Sequence, residues 1–529
     1  MKHIAKTLAT IAIVSLAACA GGTGGGTVVP NGPPNAVYPA GSTTLARVVG
    51  IGDSLTAGTQ SNGTMGVSYF GNPVSALPGG LVPATQTNGF FALLQEQIAG
   101  GTTASAVATI STPATSVLPL IASPGNGGQI VVSAAPPGFG PTQLSCDAFN
   151  QSMYSLAGLA TYRANPSTLP LDVGVPGITA HEVINMINPT SGPPPLPVAG
   201  SCPGYPSLAG DPTAGGLQTL LGSENSLFYP ILGSFVGQLG PNQPLTELNA
   251  ALADRPTLTT VWLGANDLLK FTFSYGQAPS DTPAQMTADL TQIINSAKAV
   301  GSKVVIANLP DILTLPQFVK GGATLTATMS AFLQKVGIPA PVANAIATNA
   351  SANITTNYGV TGNGYLTESG FLAAFGQCVA AFHGGVPPST VNCNPVLDPS
   401  GAGSGRGAAY LPDAFAAQVQ GLNTAYNAAI AAAATNTGTP LVDIHATFVA
   451  IATAGGVPIN PPKCCSLAFG GGLLSFDGLH PSNTGYALLA NVFIGTINTA
   501  YGTSITPVNV SNVYNGAGGY PIPDPYALH

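Results

Sequence analysis

The chain has 529 residues, 45% of them hydrophobic, which is enough for a sizeable core and excludes a disordered or fibrous protein. Only 6% are charged, against roughly a quarter in an average soluble domain, so the solvated surface must be built from Ser, Thr, Asn, Gln and exposed peptide. With 12 Lys+Arg against 19 Asp+Glu, a net charge of −7 and no basic cluster, nothing offers a stripe to neutralise phosphates, and nucleic acid is excluded as a partner.

Lys2, His3 and Lys6 precede an apolar run over 8–18, the layout of a secretory signal and too short to span a bilayer. The run ends in Leu16-Ala17-Ala18-Cys19, which resembles the bacterial lipobox. That resemblance implies a lipoprotein signal peptide over 1–18, cleavage before Cys19 and diacylglycerol on its sulfur. Two or more acyl chains hold a protein on a membrane without a spanning helix. Ala20 stands where an aspartate would imply retention at the inner membrane, so an exported, outer-membrane lipoprotein is expected. Residues 19–45 are dominated by Gly, Pro and Thr without helical or strand period and are expected to form a tether. Six further cysteines, Cys146, Cys202, Cys378, Cys393, Cys464 and Cys465, suggest disulfides in an exported chain. Cys378 with Cys393 and Cys146 with Cys202 are the local pairings, although six cysteines leave other pairings open. No Cys-x-x-Cys spacing favours zinc.

Beyond the tether, β-branched runs alternate with helical stretches, the pattern of a parallel sheet covered on both faces. Strands are predicted over 46–51, 171–175, 258–263, 303–308 and 441–444, and helices over 88–98, 179–187, 282–300, 412–434 and 481–501. Thr282-Pro283-Ala284-Gln285 reads as a capping box with proline at the first helical position. Long stretches near 60–165, 190–250 and 316–405 exceed a minimal sheet and read as elaborated loops inside one domain over 46–505, with 506–529 as a C-terminal tail.

The first strand runs directly into Gly52-Asp53-Ser54-Leu55, placing a serine at the carboxyl end of a strand, where open α/β sheets build their sites. A serine hydroxyl needs an adjacent imidazole to take its proton. Far along the chain, Phe476-Asp477-Gly478-Leu479-His480-Pro481 offers a carboxylate and an imidazole three residues apart, suited to the pair that fixes the tautomer and stabilises the imidazolium. Ester hydrolysis also develops negative charge on the carbonyl oxygen, which requires preorganised donors. The backbone N–H groups of Ser54 and Gly177 and the Asn266 amide, from Val175-Pro176-Gly177-Ile178 and Gly264-Ala265-Asn266-Asp267, would supply three.

These four segments in this order resemble the SGNH/GDSL hydrolase family, and Asn308-Leu309-Pro310 after the fourth strand fits the same pattern. The resemblance implies a three-layer α/β/α sandwich on a parallel five-stranded flavodoxin-like sheet. It implies hydrolysis of carboxylic esters through an acyl-enzyme, with Ser54, Asp477 and His480 as triad, a small-molecule or lipid ester as substrate, and no metal or cofactor. A carbohydrate O-acetylesterase and a surface lipoprotein that only binds stay open beside the lipase or acyl esterase reading. Asp443 and His445 read as a polar pair on the fifth strand. His181-Glu182 opens a helix, and Asn185 stands where a zinc protease needs its second histidine. Asp53 is expected to hold the turn by hydrogen bonding rather than to titrate in catalysis.

Overall fold

The computed structural model describes residues 45, 47–60, 83–101, 118–120, 131–132, 141–142, 169–185, 231–235, 239, 244–277, 281–383, 393–397, 408–459, 464–468, 471–475, 478–518 and 520. The elements used below, in chain order, are β1 (Val48–Gly52), α1 (Phe90–Ile98), α2 (Ala180–Asn185), α3 (Glu247–Ala253), β2 (Leu258–Trp262), α4 (Ala265–Phe273), α5 (Pro283–Ala299) and β3 (Lys303–Ala307). They continue with β4 (Phe318–Lys320), α6 (Ala323–Lys335), α7 (Ala340–Tyr358), β5 (Tyr365–Thr367), α8 (Glu368–His383) and β6 (Tyr410–Leu411). The last are α9 (Asp413–Thr437), β7 (Leu441–Val442), α10 (Ile444–Ala454), α11 (Asn483–Tyr501) and α12 (Val510–Asn515).

Burial of every residue of β1 and β2 explains why both read as near-continuous apolar runs: a parallel sheet sandwiched between helices has no wet face. The sheet is parallel in the order β1-β2-β3-β7, with Val48 opposite Leu258, Leu258 opposite Lys303 and Ile306 opposite Leu441. The expected strand over 171–175 is an edge segment carrying a single bridge, Gly50 to Asp172. It is nonetheless hydrogen-bonded along β1, through Gly50 N–H to Leu171 O at 2.9 Å, Val173 N–H to Gly50 O at 3.0 Å and Val175 N–H to Gly52 O at 3.0 Å. The chain therefore leaves β1 toward one side and later returns on its other side with β2. That switch point is where an open α/β sheet leaves a crevice at its carboxyl end.

Helix α1 packs on α11 and α5 packs on α9, covering the sheet. Phe90 stacks on Phe493 at 4.5 Å, and Trp262 meets both rings from the end of β2. Of the predicted capping box one half forms: the Thr282 side chain accepts from Gln285 N–H, while Gln285 Nε2 donates to Asp289 Oδ1 at 2.9 Å instead of closing the box. At the start of α11, Ser482 accepts from Gly485 N–H, a cap the sequence did not single out.

Three expectations change. The fifth strand is shorter, Leu441–Val442, because Asp443 caps α10 by accepting from Ala446 N–H, so His445 lies in a helix rather than on a strand. The described residues of the stretch over 316–405 are mostly not loop: α6, α7 and α8 with the antiparallel β4-β5-β6 sheet enclose their own core of Met329, Ile346, Ile354 and Phe375. Thr, Asn and Ser replace charged residues on the wet faces of these helices, which removes the usual polar contrast, while the buried Ala343, Ile346, Ala347, Ala350 and Ile354 keep the helical period. The described part of the tail beyond 505 also joins the fold, with Val508, Val513 and Tyr520 buried in the main core. Cys378 is bonded to Cys393, as the local pairing anticipated, and Cys464 pairs with Cys465. Cys146, Cys202, Cys19 and the tether lie outside the described residues. Among the described residues, no helix is long and apolar enough to cross a membrane.

Candidate active site

Asp53 and Ser54 follow the last residue of β1. The turn they begin is closed by Ala57 N–H donating to Asp53 O at 3.0 Å and Thr59 N–H donating to Ser54 O at 2.9 Å. The Asp53 carboxylate accepts from Leu55 N–H at 2.9 Å through one oxygen and from the Asn266 amide at 3.1 Å through the other. It therefore holds the turn, as the sequence suggested. Below it, Glu247 at the start of α3 accepts from Gly52 N–H at 2.7 Å. Helix α11 grips the far side of the turn, through Gln60 Nε2 to Asn483 Oδ1 at 2.8 Å and Tyr486 OH to Thr59 O at 2.8 Å.

His480 arrives on a loop folded back on itself. Leu474 and Pro481 are bridged antiparallel, Ser475 N–H donates to His480 O at 2.8 Å and Gly478 N–H donates to Ser475 O at 3.0 Å. The root of the helical insertion braces this loop, since Gln317 N–H donates to Gly478 O at 3.2 Å and Glu368 N–H donates to Gln317 O at 2.7 Å. The result is that His480 Nε2 lies 2.8 Å from Ser54 Oγ, across 426 residues of sequence. This is the reach required of a base and its nucleophile. Asp477 lies outside the described residues.

Gly177 takes φ +86°, a conformation that side chains resist, and turns the chain from the edge segment into α2. Asn266 is buried, and its amide donates to Ile178 O at 3.1 Å as well as to Asp53, linking the serine turn to the Gly177 turn. Ser54, Gly177, Asn266 and His480 line one cleft that opens to solvent. The rest of its wall is mostly apolar, including Leu269, Leu309, Ile312, Leu315, Phe448 and Leu479.

The sequence did not single out Ile312, Leu315 or Phe448, because an apolar side chain in a loop or short helix carries no chemical mark until topology brings it to the crevice. Asn308, noted only as part of a pattern, ties the end of β3 to α10: its amide donates to Asp443 Oδ1 at 2.8 Å and its oxygen accepts from His445 N–H at 2.8 Å. Outside the cleft, His181 Nδ1 pairs with Asp289 at 3.1 Å.

The carboxylates under the site are buried, and burial is the main cause of their shifts. Asp53 is pushed up to about 6, although Leu55 N–H and the nearby His480 charge pull it back. Glu96 in α1, which accepts from Tyr520 OH at 3.0 Å, is pushed up to about 7, also by burial. Asp172 and Glu247 stand well above the usual carboxylate range for the same reason. A raised acid binds protons more strongly folded than unfolded, so the stability it contributes is complete below about pH 4 and is lost as pH rises through about 6 and about 7 for Asp53 and Glu96. Each contributes about 3 kcal/mol across its window. The urea midpoint is accordingly expected to be higher at pH 5 than at pH 8, and an unchanged or rising midpoint would contradict it.

A family model described as GDSL-like Lipase/Acylhydrolase matches residues 209–493. The matched stretch holds Asn266, Asp477 and His480, while Ser54 and Gly177 precede it. No curated protein matches the chain in sequence.

Proposed function

Because the chain belongs to the GDSL-like lipase/acylhydrolase family and is an ester hydrolase, we propose that it cleaves esters of medium to long apolar acyl chains through an acyl-Ser54 intermediate. The observation that carries this reading is the 2.8 Å contact between His480 Nε2 and Ser54 Oγ at an apolar cleft. His480 takes the proton as Ser54 Oγ attacks the ester carbonyl, then gives it to the departing alcohol; water repeats the sequence on the acyl-enzyme. Asp477 orients the imidazole. The backbone N–H groups of Ser54 and Gly177 receive the oxyanion, with Asn266 sharing the hydrogen now directed at Asp53. No step calls for a metal or cofactor. Upstream, Leu16-Ala17-Ala18-Cys19 supports export and diacylglycerol attachment at Cys19, which would hold the enzyme at the outer membrane beside lipid substrates. Cys19→Ser would then release it to the soluble fraction.

An acetyl group offers little surface to the apolar wall of Leu269, Leu309, Ile312, Leu315 and Phe448, whereas each additional buried CH2 contributes up to about 0.8 kcal/mol, or about fourfold in kcat/KM. A series of p-nitrophenyl esters from acetyl to palmitoyl is expected to rise in kcat/KM beyond butyryl before it levels off. A maximum at acetyl would overturn the acyl-chain reading in favour of an O-acetylesterase, and no labelling of Ser54 by a fluorophosphonate would overturn catalysis at this serine.

A further inference from the structure

Three side chains on the first turns of α4 reach across to the segment that follows Gly177. Asn266 donates to Ile178 O at 3.1 Å, Asp267 accepts from Ala180 N–H at 3.2 Å, and Lys270 Nζ lies 3.4 Å from Glu182 Oε1. Glu182 is also half of a capping box: its other oxygen accepts from Thr179 N–H at 2.9 Å, while Thr179 Oγ1 accepts from Glu182 N–H at 3.3 Å. One carboxylate thus fixes the start of α2 with one oxygen and is itself fixed to α4 with the other. The Lys270 and Glu182 side chains are only 17% and 16% exposed, so solvent screens their attraction less than it does on an open surface. In a chain with 12 Lys+Arg and 19 Asp+Glu among 529 residues, a shielded pair beside the reaction centre is not surface decoration.

We propose that the Lys270–Glu182 ion pair is a latch that sets the position of the Gly177 turn, making both side chains positioning residues for the oxyanion hole. This rests on the reading that the Gly177 turn and Asn266 supply oxyanion donors. Such donors matter where charge develops, so a turn displaced by a fraction of an ångström weakens the transition state more than the bound ester. The latch therefore acts on kcat and leaves KM alone.

The test uses the full chain with Lys270→Met, Glu182→Gln, the double variant, Lys270→Arg, and Asn266→Ala as reference. Glu182→Gln keeps an oxygen for Thr179 N–H and removes only the charge. Each charge-removing variant is expected to lower kcat about three- to tenfold with KM within about twofold, the double is expected to fall no further than the worse single, and Lys270→Arg is expected to recover at least half of the loss. Asn266→Ala is expected to cost about a hundredfold or more. Full kcat in the charge variants beside an impaired Asn266→Ala would overturn the latch and leave the oxyanion reading standing. Losses that add in the double variant, or that fall on KM, would also overturn the latch. An unimpaired Asn266→Ala would overturn the oxyanion reading itself, and the latch with it.

Discussion

Ser54→Ala is expected to lower kcat for short p-nitrophenyl esters by about four orders of magnitude or more while leaving the melting temperature within about 2 °C of the parent. The size follows from the arrangement: without Oγ no acyl-enzyme forms, and only water held by the remaining donors can attack. His480→Ala is expected to fall to a similar level, and the double variant no lower, because nucleophile and base act as a unit. The fold survives because the turn does not hang on the hydroxyl. Its closure comes from the backbone of Asp53 and Ser54, from the Asp53 carboxylate and from Glu247 beneath Gly52. Turnover retained by a correctly folded Ser54→Ala protein would move the nucleophile elsewhere.

Part of this site is legible in the sequence because Ser54 and Asn266 sit at the carboxyl ends of strands, and strands announce themselves as apolar runs, whereas His480 comes on a loop and is marked only by its spacing from Asp477. Ser54 follows β1 and Asn266 follows β2 by a few residues, so locating the strands located the chemistry. What stayed hidden has two physical origins. Where one residue changes the period, a β-branched run misleads: Val442-Asp443-Ile444-His445 looks like strand, yet the short carboxylate of Asp443 satisfies a helix N-terminus and starts α10, which brings Phe448 to the cleft. Where the surface is built from Thr, Asn and Ser, helices lose the charged stripe that betrays them, and the insertion reads as loop although its burial has helical period. Contacts such as Lys270 with Glu182 or Gln317 with Gly478 join segments that have no sequence relation, so only topology reveals them.

The contact between Gln317 and Gly478 leads to the second large effect, because the helical insertion holds the loop that delivers the base. Gly478 adopts φ +66° between Asp477 and His480, and a Cβ added there would lie 2.5 Å from Gln317 N and 3.0 Å from Pro316 C. Both are backbone atoms at the root of a packed helical unit and cannot swing aside as a flexible side chain would. Gly478→Ala therefore has to displace the loop, and His480 with it, from a contact that works only near 2.8 Å. A base misplaced by about 1 Å costs on the order of a hundredfold in rate, and kcat is expected to fall at least that far with KM little changed. Strain alone cannot be the cause if the right comparison is made. Gly502, at the end of α11, has φ +63° and nothing within 4 Å of an added Cβ. Gly502→Ala thus carries the left-handed penalty of about 1 kcal/mol without the collision, and should lower the melting temperature by about 1 °C at full kcat. If the two variants lose stability and activity alike, the insertion does not brace the base. If only Gly478→Ala loses turnover, the insertion is part of the catalytic architecture.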